Sequence, residues 1–222
     1  MSDPADSRED AIRRYLDSLL PGPIRALEAQ APPPRESVQP SVGAQVAQLL
    51  TVMIMAIEPR RILEIGTCSG YAAIAMGRAA RACGGTVLSL EIDPDLAGAA
   101  RTNVAAAGLA EVVEIVAGDA NQILDTLPGG FGLVLQDGAK LDYLRQLPRL
   151  VALLESGGVL VTDDVLFPVM DLPGSVAGWQ EAVGQYNLAL RDHDQLQSTW
   201  IPIGDGVAVS VKRPPARRVQ TT

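Results

Sequence analysis

Histidine and cysteine are nearly missing from this chain: His193 stands alone, and Cys68 and Cys83 are the only thiols in 222 residues. That leaves no raw material for a Cys/His zinc site or for a histidine-based catalytic triad. A chain of this size has no need of a disulfide staple, so the thiols are expected to be reduced and His193 to be a surface loop residue. Basic residues are also short, with 18 Lys and Arg against 26 Asp and Glu, a formal charge of −8 and a pI near 4.7. Such a balance gives no general attraction to a phosphate backbone or an anionic bilayer, which disfavours nucleic acid and membrane surfaces as partners. No run of about 18 apolar residues occurs, and MSDPADSREDAIRRYLDSLL lacks the unbroken apolar stretch of a signal peptide. A cytoplasmic protein is expected.

What is present is the composition of a packed globular chain, 47% hydrophobic and 20% charged. Ile12, Tyr15, Leu16, Leu19 and Leu20 fall at helical spacing before Pro21-Gly22, and a second short helix is expected over Ile24–Ala31. Pro32-Pro33-Pro34 cannot continue it, because consecutive prolines remove amide donors and exclude helical geometry before them. Residues 1–35 are therefore expected to form a helical cap with a Pro-rich linker, and 36–222 the main domain.

A long apolar helix is expected from Ser41 to Ile57, followed by β-rich runs at Arg61–Ile65, Thr86–Glu91, Val112–Val116, Gly132–Asp137 and Gly158–Asp163. Helical segments near 70–82, 94–107, 119–126 and 140–155 separate them. This alternation specifies an α/β fold, a mostly parallel sheet with helices on both faces and right-handed crossovers. The last two runs, Leu196–Pro202 and Val207–Lys212, flank Ile203-Gly204-Asp205-Gly206 and read as a hairpin. A parallel sheet closed by a hairpin needs one antiparallel strand, which resembles the Rossmann-like seven-stranded sheet of the methyltransferase fold.

The first strand runs into Leu63-Glu64-Ile65-Gly66-Thr67-Cys68-Ser69-Gly70-Tyr71, a glycine-bearing turn that opens a helix. Ligands of open α/β sheets bind at that carboxyl edge. Gly66 and Gly70 allow close backbone approach, the free amides of the helix start favour a carboxylate, and Glu64 offers the complementary charge for an ammonium. A ligand with both groups is an amino acid derivative. Glu91, ending the second strand, is placed to accept hydrogen bonds from two ribose hydroxyls. The GxGxxG spacing of dehydrogenases is absent, because residue 68 is Cys.

RILEIGTCSGYAAIAMGRA resembles the first motif of the cation-dependent catechol and caffeoyl-coenzyme A O-methyltransferases, and IPIGDGVAVSVK resembles their final hairpin. The likeness covers roughly residues 38–212. It implies S-adenosylmethionine as cofactor, with Val42, Glu64, Gly66, Thr67, Glu91 and Ala120 in contacting positions and Gly118-Asp119-Ala120 beside the adenine. Gly70, Tyr71, Ala72, Ile92 and Asp137 complete the expected set. Ala72 replaces the family's serine, which removes one hydroxyl contact to the methionine carboxylate.

Asp137 ends the fourth strand and Asp163-Asp164 the fifth, so three carboxylates arrive at the cofactor edge. Without a neutralising cation they repel one another, and oxygen ligands suit Mg²⁺ or a similar hard ion. The resemblance implies the same metal triplet, Mg²⁺ or alternatively Mn²⁺ or Ca²⁺, with Asp164 standing where relatives carry Asn. It also implies Lys140 as catalytic base for a metal-acidified hydroxyl, while Ala139 replaces a second aspartate. Leu166–Gly174 is a candidate apolar wall for a planar acceptor, and Tyr186-Asn187 resembles the family's aromatic-Asn pair near the metal.

The expected activity is methyl transfer to a hydroxyl of a small catechol-like or phenolic acceptor by a homodimer. Three alternatives stay open on sequence: methylation of a modified transfer-RNA uridine hydroxyl, a nicotinamide-binding oxidoreductase, and a cofactor-binding protein without turnover, the last motivated by Ala72 and Ala139.

Overall fold

The computed structural model describes residues 8–22, 41–172 and 174–214. Its elements in chain order begin with α1 (Arg8–Ser18), α2 (Gly43–Ile57), β1 (Arg61–Ile65), α3 (Tyr71–Cys83), β2 (Thr86–Glu91) and α4 (Pro94–Ala106). There follow β3 (Val113–Ala117), α5 (Ala120–Ile123), β4 (Phe131–Gln136), α6 (Tyr143–Leu153), β5 (Leu154–Thr162), α7 (Ala177–Arg191), β6 (Leu196–Ile201) and β7 (Val207–Lys212). Short 3₁₀ turns at Leu124–Thr126, Lys140–Asp142, Phe167–Val169 and Gly174–Val176 link them.

The seven strands form one sheet in the order β3-β2-β1-β4-β5-β7-β6. All pairings from β3 to β5 are parallel, and β7 is antiparallel to both neighbours. Side chains of a strand alternate between faces, and the central strands are apolar on both. Ile62, Leu133, Leu135 and Val161 pack against α2 and α3, which bring Leu50, Ile54 and Met76. Leu63, Val134 and Leu160 face α6 and α7, which bring Tyr143, Leu150, Tyr186 and Leu190. Because both faces are covered, the polar chemistry is confined to the strand ends.

The helices start where their caps dictate. Asp93 accepts from the amides of Asp95 and Leu96 and is followed by Pro94, whose fixed φ and missing N–H suit the first helical position. Asp119 caps α5 by accepting from Asn121 N. The N-terminal α1 meets α2 through a 2.9 Å hydrogen bond from Gln45 Nε2 to Asp17 Oδ1. The helix expected over 24–31 and the triple-proline linker lie outside the described residues.

Two features depart from expectation. Strand β5 starts at Leu154 rather than Gly158, and the preceding helix accordingly stops at Leu153; the extra length carries a register shift opposite Phe131 and Leu133. Helix α7 has no counterpart in the sequence reading. Its N-cap, Val176, supplies no side-chain cap and the helix contains Gly178 and Gly184, so neither a start signal nor uniform propensity marks it.

Candidate active site

The turn after β1 and the end of β4 are built against each other. Gly66 has φ +89°, and a Cβ there would lie 2.3 Å from the carbonyl oxygen of Asp137, so only glycine fits. Asp137 N donates to Ile65 O at 2.9 Å and Gly66 N to Leu90 O at 2.9 Å, which fixes three strand ends around one point. Glu91 is held by backbone donors: Cys68 N reaches its Oε2 at 2.7 Å and Asp93 N its Oε1 at 3.0 Å.

A cavity of about 530 Å³ opens at this edge, within the range of small-molecule sites. The expected residues Gly66, Glu91, Ile92, Gly118, Asp119 and Ala120 line it, as do Asp137, Asp164 and Lys140. Asn121, Asp142, Gln146, Val176 and Trp179 line it as well, and no motif announces them. Asn121 and Gln146 are ordinary amides on short helical segments, and Trp179 belongs to the unforeseen α7, where its ring stacks on buried Phe167 with centroids 5.9 Å apart. That stack joins the expected Leu166–Gly174 wall to the cavity.

The remaining expected cofactor residues, Val42, Glu64, Thr67, Gly70, Tyr71 and Ala72, are not on the wall of this cavity. Val42, Tyr71 and Ala72 are buried in the α2–α3 core. Glu64 lies fully buried behind the turn, bonded through Oε2 to Ser89, which also meets Thr67, while Oε1 has no hydrogen-bond partner. Burial pushes its carboxyl up to about 8 against the lowering bond from Ser89, with Asp137 and Glu91 adding to the rise. Glu64 thus braces the turn from behind.

Beyond the turn lies the acid–lysine cluster. Lys140 is 6% exposed, and its Nζ reaches Asp137 Oδ1 at 2.9 Å, Asp164 Oδ2 at 2.5 Å and Tyr143 Oη at 2.9 Å. Burial alone would favour the neutral amine, but the neighbouring carboxylates outweigh it and hold Lys140 well above its ordinary value. As it stands, Lys140 is an ammonium. Burial pushes Asp137 up to about 6 although Lys140 pulls it down, and burial with Asp137 and Asp164 drives Asp163 well above the carboxylate range. Asp163 is 4% exposed, with Oδ1 unpartnered. Asp164 sits at φ 63°, the left-handed region that Asp and Asn tolerate best after glycine.

Among the described residues no three acids, histidines or cysteines are gathered into a ready ligand set. The donor chemistry nevertheless fits a hard cation. Asp137, Asp163 and Asp164 carry more negative charge than one ammonium cancels, and a buried carboxylate oxygen is left without a donor.

His193 lies in the α7–β6 turn beside Asp194 and lines no part of the cavity. Asn187, expected near a metal, is engaged at both ends: Nδ2 donates to Val165 O at 2.7 Å, and Oδ1 accepts from Trp200 Nε1 at 3.0 Å. It braces the segment that follows Asp164.

A parallel sheet closed by an antiparallel hairpin, with a glycine turn, a strand-end glutamate and an acid–lysine cluster at one edge, is the architecture of a class I methyltransferase. The family model for O-methyltransferase matches residues 26–213. The catechol O-methyltransferase of Mycobacterium tuberculosis is 39% identical over 158 residues, covering 70% of this chain and 71% of that protein. Caffeoyl-CoA O-methyltransferase 2 of Petunia hybrida is 27% identical over 221 residues, 91% of this chain and 90% of its own. The O-methyltransferase TomG of Streptomyces achromogenes, solved with S-adenosylmethionine, superposes with a TM-score of 0.75 at 26% identity, covering 91% of this chain and 96% of TomG. The chain belongs to the O-methyltransferase family and is an S-adenosylmethionine-dependent O-methyltransferase.

Proposed function

We propose that this enzyme methylates a hydroxyl of a small catechol-like or phenolic acceptor with the help of a divalent cation, Mg²⁺ by preference. The observation that carries the reading is the Lys140 ammonium between Asp137 and Asp164 at the cofactor edge, beside the unpartnered oxygen of Asp163. The catechol and caffeoyl-CoA activities in the relatives' names agree with it.

S-adenosylmethionine supplies an electrophilic methyl group on sulfur, and a cation held by Asp137, Asp163 and Asp164 supplies positive charge that acidifies a bound hydroxyl. The protein's part is to align and to move one proton. Glu91 and Asp119 hold the nucleoside, and Gly66 lets the turn close on Asp137, so that cofactor and acceptor are positioned from a shared backbone. The acceptor ring lies toward Trp179 and Val176, which give the cavity its apolar wall. Lys140 is the proton acceptor. For this it must first shed its own proton, and neutralising the carboxylates that now hold it charged brings its affinity for a proton down.

We take the enzyme to be a cytoplasmic homodimer. Neither Cys68 nor Cys83 forms a disulfide among the described residues. Val52, Met55 and Ile57 of α2, Ile12 and Tyr15 of α1 and Leu19 just after it expose 40–65% of their surface, the kind of apolar area that a subunit contact covers. Among the described residues no helix is long and apolar enough to cross a membrane.

The test is methyl transfer to catechol with Mg²⁺, with Mn²⁺ and with excess EDTA. Transfer that needs the ion and stops with the chelator is expected; undiminished turnover in EDTA overturns the metal-assisted reading.

A further inference from the structure

Asp142, Asn121 and Gln146, along one wall of the cavity, form a chain that ends on buried Gln136 and whose hydrogen-bonding sense is dictated from the acid end. Asp142 Oδ1 accepts from Arg145 Nη2 at 2.7 Å, and its Oδ2 accepts from Asn121 Nδ2 at 2.9 Å. The second hydrogen of the same Asn121 nitrogen goes to Asp119 Oδ1 at 2.9 Å. A carboxylate can only accept, so Asn121 must turn its NH₂ toward the two acids and its carbonyl the other way. There it accepts from Gln146 Nε2 at 2.8 Å, which forces the Gln146 carbonyl toward Gln136, whose Nε2 donates to it at 2.8 Å. Asp142 stays ionised under these bonds: burial acts to raise it, but Asn121 and Arg145 outweigh burial and hold the carboxyl below its ordinary value.

The consequence falls on Gln146. It is 5% exposed and lines the cavity, its orientation is not free, and one of its two amide hydrogens is used by Asn121. The other is a donor on a wall where Asp119, its Oδ1 already taken by the amide and side chain of Asn121, offers Oδ2 as an acceptor. Among the described residues, Oδ2 is approached by Gln122 Nε2 at 3.4 Å. An acceptor and a donor on one wall match an edge that presents an amino group beside a ring nitrogen lone pair. Adenine has that edge. Hypoxanthine has the reverse, a carbonyl beside a ring N–H.

We propose that Gln146, held in one sense by the Asp142–Asn121 pair, is a specificity-determining residue that selects adenine over hypoxanthine in the cofactor. The inference rests on the reading of this cavity as the nucleoside site, and it concerns a residue that the family motifs in this sequence do not include. Gln136 extends the relay to the last residue of β4, next to Asp137. The relay whose sense the acids set thereby ends on the sheet.

The experiment is calorimetric binding of S-adenosylhomocysteine and S-inosylhomocysteine to the full chain, which needs no turnover. Wild type is expected to prefer the adenine ligand by roughly 100-fold or more. Gln146→Leu should lower that preference by about tenfold or more, chiefly through weaker binding of the adenine ligand. Gln146→Met keeps the length and near-volume of the side chain but cannot donate, so it tests the donor with little disturbance of the core, and it should shift the preference in the same direction. An unchanged preference in either folded variant overturns the proposal. Wild type that binds neither ligand would instead sink the reading of the cavity as a cofactor site, a result distinct from the first.

Discussion

Lys140 Nζ and Asp164 Oδ2 lie 2.5 Å apart with side chains only 7% and 10% exposed, an ion pair inside the site rather than on its rim. The pair keeps Lys140 protonated, which gives the chemistry its first measurable signature. Lys140→Met should lower the turnover number by about 10²–10⁴, the usual contribution of a positioned proton acceptor, while the dissociation constant of S-adenosylhomocysteine changes little. In the wild type, turnover should climb as pH rises, because the ammonium must lose its proton, and the variant should lose that dependence. Equal losses in cofactor affinity and turnover would place Lys140 in binding instead.

Asp164→Asn removes one of the two carboxylates that hold Lys140 and keeps a residue type that tolerates φ 63°. Folding stability should stay close to wild type, activity should persist, and the Mg²⁺ dissociation constant measured by titration should rise several-fold. An unaltered metal affinity would exclude residue 164 from the ligand set.

Glu91→Ala takes away an acceptor that Cys68 N and Asp93 N already orient. Hydrogen bonds to a charged group are worth about 1.5–3 kcal/mol each. Binding of S-adenosylhomocysteine by calorimetry should therefore weaken at least tenfold, with a smaller effect on the turnover number at saturating cofactor. Unchanged affinity would mean that the ribose does not reach β2.

Glu64 gives a pH signature in stability. Burial pushes its carboxyl up to about 8 in the folded chain, from an ordinary value of 4.5. The folded state thus holds a proton that the unfolded state has released, and the associated stability is full below about 4.5 and is lost as pH rises through about 8. In urea unfolding without cofactor, wild type and Glu64→Gln should match near pH 5, and the variant should gain on wild type by on the order of 1 kcal/mol per pH unit toward pH 8. A constant difference across that range would mean that Glu64 does not titrate there.

The homodimer is checked by sedimentation. Met55→Glu, at a position 59% exposed on the apolar helix α2, should convert a dimer to monomer without loss of folding. A wild-type monomer at micromolar concentration would contradict the assembly.

The strand ends were the most legible part of the chain. Thr86–Glu91 and Val207–Lys212 were read to the residue, because turn residues bound them and the runs between are β-branched and apolar. From those ends the approach of Gly66, Glu91, Asp137 and Asp164 to one edge follows by topology. What did not follow was set by side-chain direction. Glu64 belongs to the face of β1 that α2 and α3 cover, so it is buried behind the turn instead of lining the cavity. Asn121 and Gln146 meet only because α5 and α6 pack side by side at 2.8 Å between amides, a relation with no trace in either segment alone. Trp179 was hidden with its helix, whose glycines at 178 and 184 dilute the periodic signal.

Gly66 packs its bare α-carbon against the carbonyl of Asp137, and Asp137 N bonds back to Ile65 O. There is no compliant side chain between the Gly66 turn and the residue that begins the acid–lysine cluster. The turn and the cluster share one backbone joint, so a shift of either displaces the same few atoms. The spacing between them is gauged by the sheet itself.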